Sequence, residues 1–116
     1  MKAHTVIDAG TCGFQTTVAA DSPDKRHVTF AIETGCDVVG KLVVALEERQ
    51  PIDVYGEIDP RKESVILETV LETMAECRKS CAVPLGVFKA MQIVTELALP
   101  ESVHIEVVAD EDGAEA

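Results

Sequence analysis

The hydrophobic period of the chain changes at residues 34–37, and this change most limits the folds that the sequence can adopt. Before it, small and β-branched residues dominate segments 4–7 and 14–20, and segment 27–33 alternates between apolar and polar side chains. After it, apolar residues recur at a spacing of three and four. A period of two predicts strands and a period near 3.6 predicts helices. The chain is therefore expected to join a sheet to a set of helices.

The three early segments are separated by short turns. Residues 8–13 contain two glycines, and residues 21–24 are rich in Asp and Ser with one Pro. Such residues favour tight turns, and short turns join antiparallel neighbours. We therefore expect a three-stranded antiparallel meander with one face in contact with solvent.

Three helices and one more strand are expected after the meander. The first helix follows Cys36 and stops at Pro51, and the second begins at Asp59-Pro60, a capping carboxylate followed by a Pro in the first turn. The third begins at Val83-Pro84 and ends before Pro100. Residues 103–108 alternate again, which predicts a final strand with three residues facing inward, namely Val103, Ile105 and Val107.

The fold class expected is α+β, with element order βββαααβ and three helices packed on one face of the antiparallel sheet. At 116 residues the chain is expected to form a single domain over residues 1–109, followed by an acidic disordered tail over residues 110–116. Aromatic residues make up only 3% of the chain. The core must therefore consist mainly of Val, Ile, Leu and Ala.

The charge balance argues against two classes of partner. The chain has 21 acidic and 10 basic residues, a formal net charge of −11, and its basic residues are scattered. Nucleic acid and anionic membrane surfaces would repel such a chain. No N-terminal signal segment and no membrane span is evident, so we expect a cytoplasmic protein. Cysteines in that compartment are usually reduced.

The direction of the chain predicts that its four cysteines meet. If strands and helices alternate between up and down, the turn with Cys12, the turn with Cys36 and the connection with Cys77 and Cys81 all lie at one end of the fold. This prediction depends most on the connector at residues 52–59, because the connector could carry the second helix to either end. All four cysteines fall in connections, outside the apolar stripes.

A metal site is the leading hypothesis for these cysteines. Four thiolates from Cys12, Cys36, Cys77 and Cys81 could hold zinc tetrahedrally or ligate an iron–sulfur cluster. The spacing has one C-x₃-C pair and two separate cysteines. A zinc ribbon usually has two C-x₂-C pairs, so a standard zinc finger is not expected, and zinc and iron–sulfur both stay open.

Two alternatives stay open beside the metal site. The chain could be a thiol redox protein that uses Cys77/Cys81 or Cys36, with helix N-termini and the cations Arg78 and Lys79 lowering thiol pKa values. It could also be a protein-interaction domain, with an unknown protein partner or as a homodimer, in which the cysteines are buried structural residues.

No catalytic apparatus is evident, so an enzyme is the less favoured class. His4, His27 and His104 fall on outward faces of expected strands, and the sequence has no nucleophile motif or phosphate-binding glycine loop. Asp8 precedes the turn with Cys12, where a turn-stabilising role is expected over a role beside a metal ligand. Glu33 and Asp37 flank Cys36 without forming a recognisable acid–base pair.

Four segments carry a resemblance to a known group of proteins: residues 11–14 (TCGF), 33–36 (ETGC), 77–84 (CRKSCAVP) and 97–100 (LALP). In this order they resemble a small family of uncharacterised four-cysteine proteins found mostly in anaerobic prokaryotes. The resemblance spans residues 6–107. It implies a shared fold and a shared set of cysteines, and it implies no substrate because the family has no established activity.

Overall fold

The structure, a computed structural model, describes residues 1–77 and 80–111. It is an α+β fold with one antiparallel sheet and four helices. The elements in chain order are β1 (Lys2–Asp8), β2 (Gln15–Asp21), β3 (His27–Thr34), α1 (Asp37–Arg49), β4 (Ile52–Asp53), α2 (Val54–Ile58), α3 (Val65–Thr73) and α4 (Val83–Val94).

The expected antiparallel meander is confirmed. β1 pairs with β2 from Lys2↔Asp21 to Asp8↔Gln15, and β2 pairs with β3 from Thr16↔Thr34 to Asp21↔Thr29. The alternation of β3 also holds, because Val28 and Phe30 are buried in the core.

The helices cover one face of the sheet. α4 lies on β1 and β2, and α1 lies on β3 and packs against α3. At the closest approach of α4 to β1, a Cβ added to Gly86 would lie 2.4 Å from Ile7 Cδ1, and Thr5 Oγ1 donates to the Gly86 carbonyl oxygen at 3.0 Å. A glycine is therefore needed for α4 to sit this close to the sheet. One apolar cluster fills the space between the layers.

The expected C-terminal strand is wrong. Residues 99–111 have no regular secondary structure, and Val103, Ile105 and Val107, which we expected to face inward, are exposed. The alternation of residues 103–108 is a local preference, whereas a strand needs an edge to pair with and a core to cover. Here α4 already packs on the inner face of β1, and residues 100–105 lie across a groove from β1 and do not pair with its edge.

The fourth strand lies elsewhere. β4 pairs with β3 through Val28↔Ile52 and His27↔Asp53, so that the sheet order is β1-β2-β3-β4. α2 follows it at once and is the helix that the expected order βββαααβ lacked. A two-residue strand and a five-residue helix are too short to produce a visible period in sequence.

The predicted start of the second long helix at Asp59-Pro60 is also wrong. Asp59 ends α2 and binds Arg61, and α3 begins at Val65 after the N-cap Ser64. The Ser64 hydroxyl accepts from Leu67 N–H at 3.0 Å. The Glu57 carboxylate accepts from the Ser64 hydroxyl and from the backbone N–H groups of residues 65 and 66. This combined cap satisfies several free N–H groups of the first turn, which a cap at Asp59 would not.

The acidic C-terminal residues and the lengths of the helices bear on two further expectations. Most of the expected acidic tail, residues 112–116, lies outside the described residues, and Asp110 and Glu111 are exposed. No helix within the described part of the chain has the length and apolar character to cross a bilayer.

Candidate thiol site

The connections that carry the four cysteines lie at one end of the fold, as the alternating direction of strands and helices predicts. β1 ends, β2 begins and β3 ends at the same edge of the meander, which brings the turns with Cys12 and Cys36 together. We call the four residues Cys12, Cys36, Cys77 and Cys81 the cysteine pole.

Ion pairs between α1 and the α3 segment show why Cys77 joins this end. Arg49, the last residue of α1, binds Thr69 and Glu72 within α3, whereas Lys41 near the start of α1 lies 3.5 Å from Glu76 after α3. The two helices are therefore antiparallel, and the end of α3 lies beside the start of α1. The connector at residues 52–59 contains β4 and α2. It carries the chain to the far end of the fold before α3 begins.

Cys12 lies in a single 3₁₀ turn, Gly10–Cys12, between β1 and β2. Gly10 and Gly13 have φ angles of 75° and 74°, a left-handed conformation that favours glycine. The Asp8 carboxylate accepts from Gln15 Nε2 at 3.0 Å across the base of the turn, so the turn-stabilising role expected for Asp8 is confirmed. The Cys12 side chain is exposed, and its only contact of hydrogen-bond type among the described residues is a long one of 3.9 Å to the Ala9 carbonyl oxygen.

Cys36 is the N-cap residue of α1. Its backbone N–H donates to Thr34 Oγ1 at 3.1 Å, and this hydroxyl lies 2.9 Å from Thr16 Oγ1 on β2. Gly35 packs against the ring of Phe14, which joins this turn to the Cys12 turn. The Cys36 side chain is half-buried against the core.

Cys77 and Cys81 lie on a turn between α3 and α4. The Cys81 N–H donates to the Cys77 carbonyl oxygen at 3.0 Å, and the Cys81 sulfur accepts from Val83 N–H at 3.5 Å, at the first residue of α4. Both side chains are half-buried against the core. Arg78 and Lys79, which we expected to lower the thiol pKa values, lie outside the described residues.

The surroundings of Cys77 disfavour its thiolate form. Burial raises the pKa of the Cys77 thiol above its ordinary value, and negative charge on Cys81, Cys36, Glu76 and Cys12 raises it further. The positive ends of the α1 and α4 dipoles lie at the same pole and act in the opposite sense on any thiolate there.

The cysteine pole contains no assembled metal site among the described residues. All four are free, with no disulfide among them. Among the described residues, no three Cys, His, Asp or Glu side chains are arranged as ligands of a single metal ion. The pole therefore presents free thiols at one end of the fold, with no assembled set of three metal ligands among the described residues.

The three histidines lie away from the cysteine pole or on the surface. His4, His27 and His104 are exposed, as expected from their outward positions. His27 is held by its Nδ1 atom, 2.6 Å from the Asp24 carboxylate. This pair lies in the turn between β2 and β3, at the opposite end of the sheet.

Two features of the site could not be predicted from the sequence. The hydroxyl pair Thr16–Thr34 positions Cys36 through a contact between strands that depends on register, which a one-residue shift would destroy. A groove of about 620 Å³ lies between β1, α4 and residues 100–105. It was missed because those residues were expected to pack into the sheet.

Comparisons with known proteins agree with the resemblance seen in the sequence. A model of a family of unknown function, DUF6951, matches residues 3–107, a range that includes all four cysteines. Searches of curated proteins and of solved structures each find no significant match.

Proposed function

We propose that this chain, which belongs to the family of unknown function DUF6951, binds a thiophilic metal ion or an iron–sulfur cluster through Cys12, Cys36, Cys77 and Cys81. The observation that carries the proposal is the convergence of four thiols from three separate connections on one end of the fold. Zinc and iron–sulfur clusters are the groups that four cysteine sulfurs bind best.

The surroundings of the sulfur atoms support a cationic ligand. Within the described chain, the Cys81 sulfur accepts one long hydrogen bond and Cys12 makes one still longer. Four thiolates without stronger partners would repel one another, and a metal cation removes this repulsion. Two helix N-termini at the pole stabilise thiolate charge further.

A metal site here requires the four sulfur atoms to reach a common separation. A tetrahedral zinc ion with bonds of about 2.3 Å requires sulfur atoms about 3.8 Å apart. The backbone positions are already set by the 3₁₀ turn at Cys12, the N-cap at Cys36 and the turn from Cys77 to Cys81. Binding therefore requires the cysteine side chains to bring their sulfur atoms to this separation.

Metal analysis of protein purified without oxygen tests this proposal. We expect about one zinc per chain, or iron with matching acid-labile sulfide and a brown colour, and we expect Cys77→Ser to lose it. Ser80→Ala is the matched control, because it changes an exposed residue of the same turn without removing a sulfur. If Cys77→Ser misfolds, Cys12→Ser replaces it, since Cys12 is exposed.

A metal content below about 0.2 per chain in the wild type, even after reconstitution with zinc or with iron and sulfide, would overturn the proposal. Metal that stays bound in both cysteine variants would overturn it as well. Circular dichroism separates loss of metal from loss of fold.

A dithiol redox carrier is the second candidate, favoured by one observation. The Cys81 sulfur accepts the Val83 N–H at the start of α4, and the Cys81 N–H closes a turn onto Cys77. In such a carrier the two thiols would form one S–S bond. The two electrons and two protons would pass to the disulfide of a partner, which leaves as a dithiol.

Oxidised glutathione distinguishes this candidate from the first. A carrier should form a Cys77–Cys81 disulfide, seen by peptide mapping as the loss of two hydrogens, and Cys12→Ser should leave it intact. Uniformly slow alkylation of all four thiols in the metal-free protein would contradict a redox role.

The compartment and partners follow from the same chemistry. We propose a cytoplasmic location, where unpaired thiols stay reduced. A net charge of −11 argues against nucleic acid as a partner. An interaction domain with purely structural thiols is less favoured, because the Cys12 side chain is exposed.

A further inference from the structure

The outer edge of β1 is an unpaired strand edge. β1 pairs with β2 along its whole length, and no strand in the described part of the chain pairs with its other side. On the face of β1 that points away from the helices, Val6 is 55% exposed. An open edge of this kind can accept a further extended segment through backbone hydrogen bonds.

The segment after α4 is an extended apolar chain without cover. We define the C-terminal arm as residues 102–111. Its apolar side chains are exposed by 52% (Val103), 65% (Ile105), 91% (Val107) and 66% (Val108). No hydrogen bond joins the arm to another described residue. Four β-branched residues within six positions favour an extended backbone that pairs with a strand.

The course of the chain gives the direction of the arm. Residues 97–100 lie beside residues 1–3, at the start of β1. Residues 100–105 then lie across the groove of about 620 Å³ from β1 residues 4–8. The arm therefore runs in the same direction as β1 and forms one wall of the groove, with the β1 edge as the other wall.

We propose that two copies of the chain associate about a two-fold axis, each placing its arm in the groove between β1 and the arm of the other copy. The strand order across the dimer is then β1, the arm of the second copy, the arm of the first copy, and β1 of the second copy. The contact is isologous, with the same surface used on both chains.

Strand direction favours the exchange of arms between two copies over pairing of an arm with β1 of its own chain. A two-fold axis perpendicular to the joined sheet reverses the arm of the second copy, so it lies antiparallel to β1 of the first copy and antiparallel to its arm. All neighbours in the joined sheet are then antiparallel. The arm of the same chain would lie parallel to β1, and parallel pairing is slightly less stable per residue.

The side chains on the two surfaces also match. The alternation of an inserted arm places Val103, Ile105 and Val107 on one face, toward α4, where Leu85 is 40% exposed. Glu106 falls on the other face, where the β1 side chains Lys2 and His4 are exposed. A register that sets Glu106 opposite Lys2 therefore combines burial of apolar surface with one pair of opposite charges.

The molar mass of the full chain in solution tests the proposal. Light scattering after size exclusion, at concentrations up to about 100 μM, should give twice the 12.5 kDa chain mass for the wild type. Ile105→Asp should shift the protein to the monomer, because a charge cannot enter the joined sheet without loss of pairing. The arm is exposed in the single chain, so this change leaves the fold of the monomer intact.

Val44→Asp is the matched control, since Val44 on α1 is exposed by 59% and lies away from the groove. It should leave the mass of the dimer unchanged. A monomeric wild type would overturn the proposal, and so would a dimer that survives Ile105→Asp. Hydrogen exchange on the wild-type dimer should show arm amides that are protected, and in Ile105→Asp the same amides should exchange freely. Metal content at the cysteine pole is unaffected by either variant, which keeps this test separate from the proposed function.

Discussion

The two ends of the molecule use their polar groups in opposite ways. At the end opposite the cysteine pole, Arg26 binds the Asp53 carboxylate at 3.0 Å and lies 5.0 Å from the centre of the Tyr55 ring. The Asp24 carboxylate accepts from the His27 ring and from two backbone N–H groups. At the cysteine pole, by contrast, the sulfur atoms have only long contacts within the described chain.

This difference separates a structural end from a candidate site. Charges at the opposite end neutralise one another and hold turns and helix starts in place. Thiols at the cysteine pole are gathered by backbone turns and leave their donor atoms available. Changes at the opposite end should therefore alter stability, and changes at the cysteine pole should alter chemistry.

The largest effect is expected from Glu57→Ala at the opposite end. The carboxylate accepts from the Ser64 hydroxyl and two N–H groups at the start of α3, and its removal leaves these donors without a protein partner. We expect a loss of about 1.5–3 kcal/mol in the free energy of unfolding, measured by urea denaturation.

Glu57→Gln is the control for this change, because an amide oxygen can still accept one of the hydrogen bonds, and it should lose less. Metal content per folded chain should be the same in both variants. If Glu57→Ala removes metal while the protein stays folded, the two ends are not independent in the way proposed.

A smaller effect is expected from Thr16→Val, a change that should affect both the stability of the protein and the accessibility of Cys36. The change removes the hydroxyl that lies 2.9 Å from Thr34 Oγ1, the atom that accepts the Cys36 N–H. We expect a loss of about 1 kcal/mol in the free energy of unfolding. We also expect faster alkylation of Cys36, because its turn is held less firmly.

Thr17→Val is the matched control, since the neighbouring residue of β2 points to the other face of the sheet. Its effect should stay within about 0.5 kcal/mol. Equal alkylation rates for Cys36 in the wild type and in Thr16→Val would show that the hydroxyl pair does not position this thiol.

The smallest effect is a dependence on pH that differs between the two ends. Hydrogen bonds from the His27 ring, then from the N–H groups of His27 and Arg26, hold the pKa of Asp24 well below its usual range. Its contribution to stability is present above the unfolded pKa of about 3.9 and is lost as the pH falls toward the folded value. Denaturation curves in acid should therefore fall less steeply with pH for Asp24→Asn than for the wild type.

At the cysteine pole, stability depends on pH in the opposite direction. Because the pKa of Cys77 is raised, its contribution in the metal-free protein is present below the unfolded pKa of about 8.5 and is lost as the pH rises through the folded value. Cys77→Ser should lose less stability than the wild type on the alkaline side. A wild type whose stability is flat above that pH would show that the pKa of Cys77 is not raised.

Much of the fold could be predicted because its signals are local. The alternation of residues 27–33 and the glycines of the first turn are enough to place the meander, and β1 to β3 lie where the pattern indicates. The start of α3 could not be placed, because Asp59-Pro60 and Ser64 are both good caps in isolation. The side chain of Glu57, from the preceding helix, decides between them.

The cysteine pole was predictable for a related reason. The end at which each connection lies follows from the number and order of the long elements, if these alternate between up and down. The added β4 and α2 did not change the end at which α3 finishes. The arrangement of the sulfur atoms was not predictable, because it depends on side-chain rotations and on contacts such as Thr16–Thr34.

The sequence by itself determined that this chain has a meander, three long helices and four cysteines in connections that share one end. These follow from periodicity, turn residues and chain direction, which act over a few residues at a time. Only the tertiary structure decided that residues 103–108 stay outside the sheet, that β4 takes the fourth position and that Cys36, Cys77 and Cys81 are half-buried against the core. Those outcomes depend on which edge is free and which surface is already covered, and these are properties of the packed molecule.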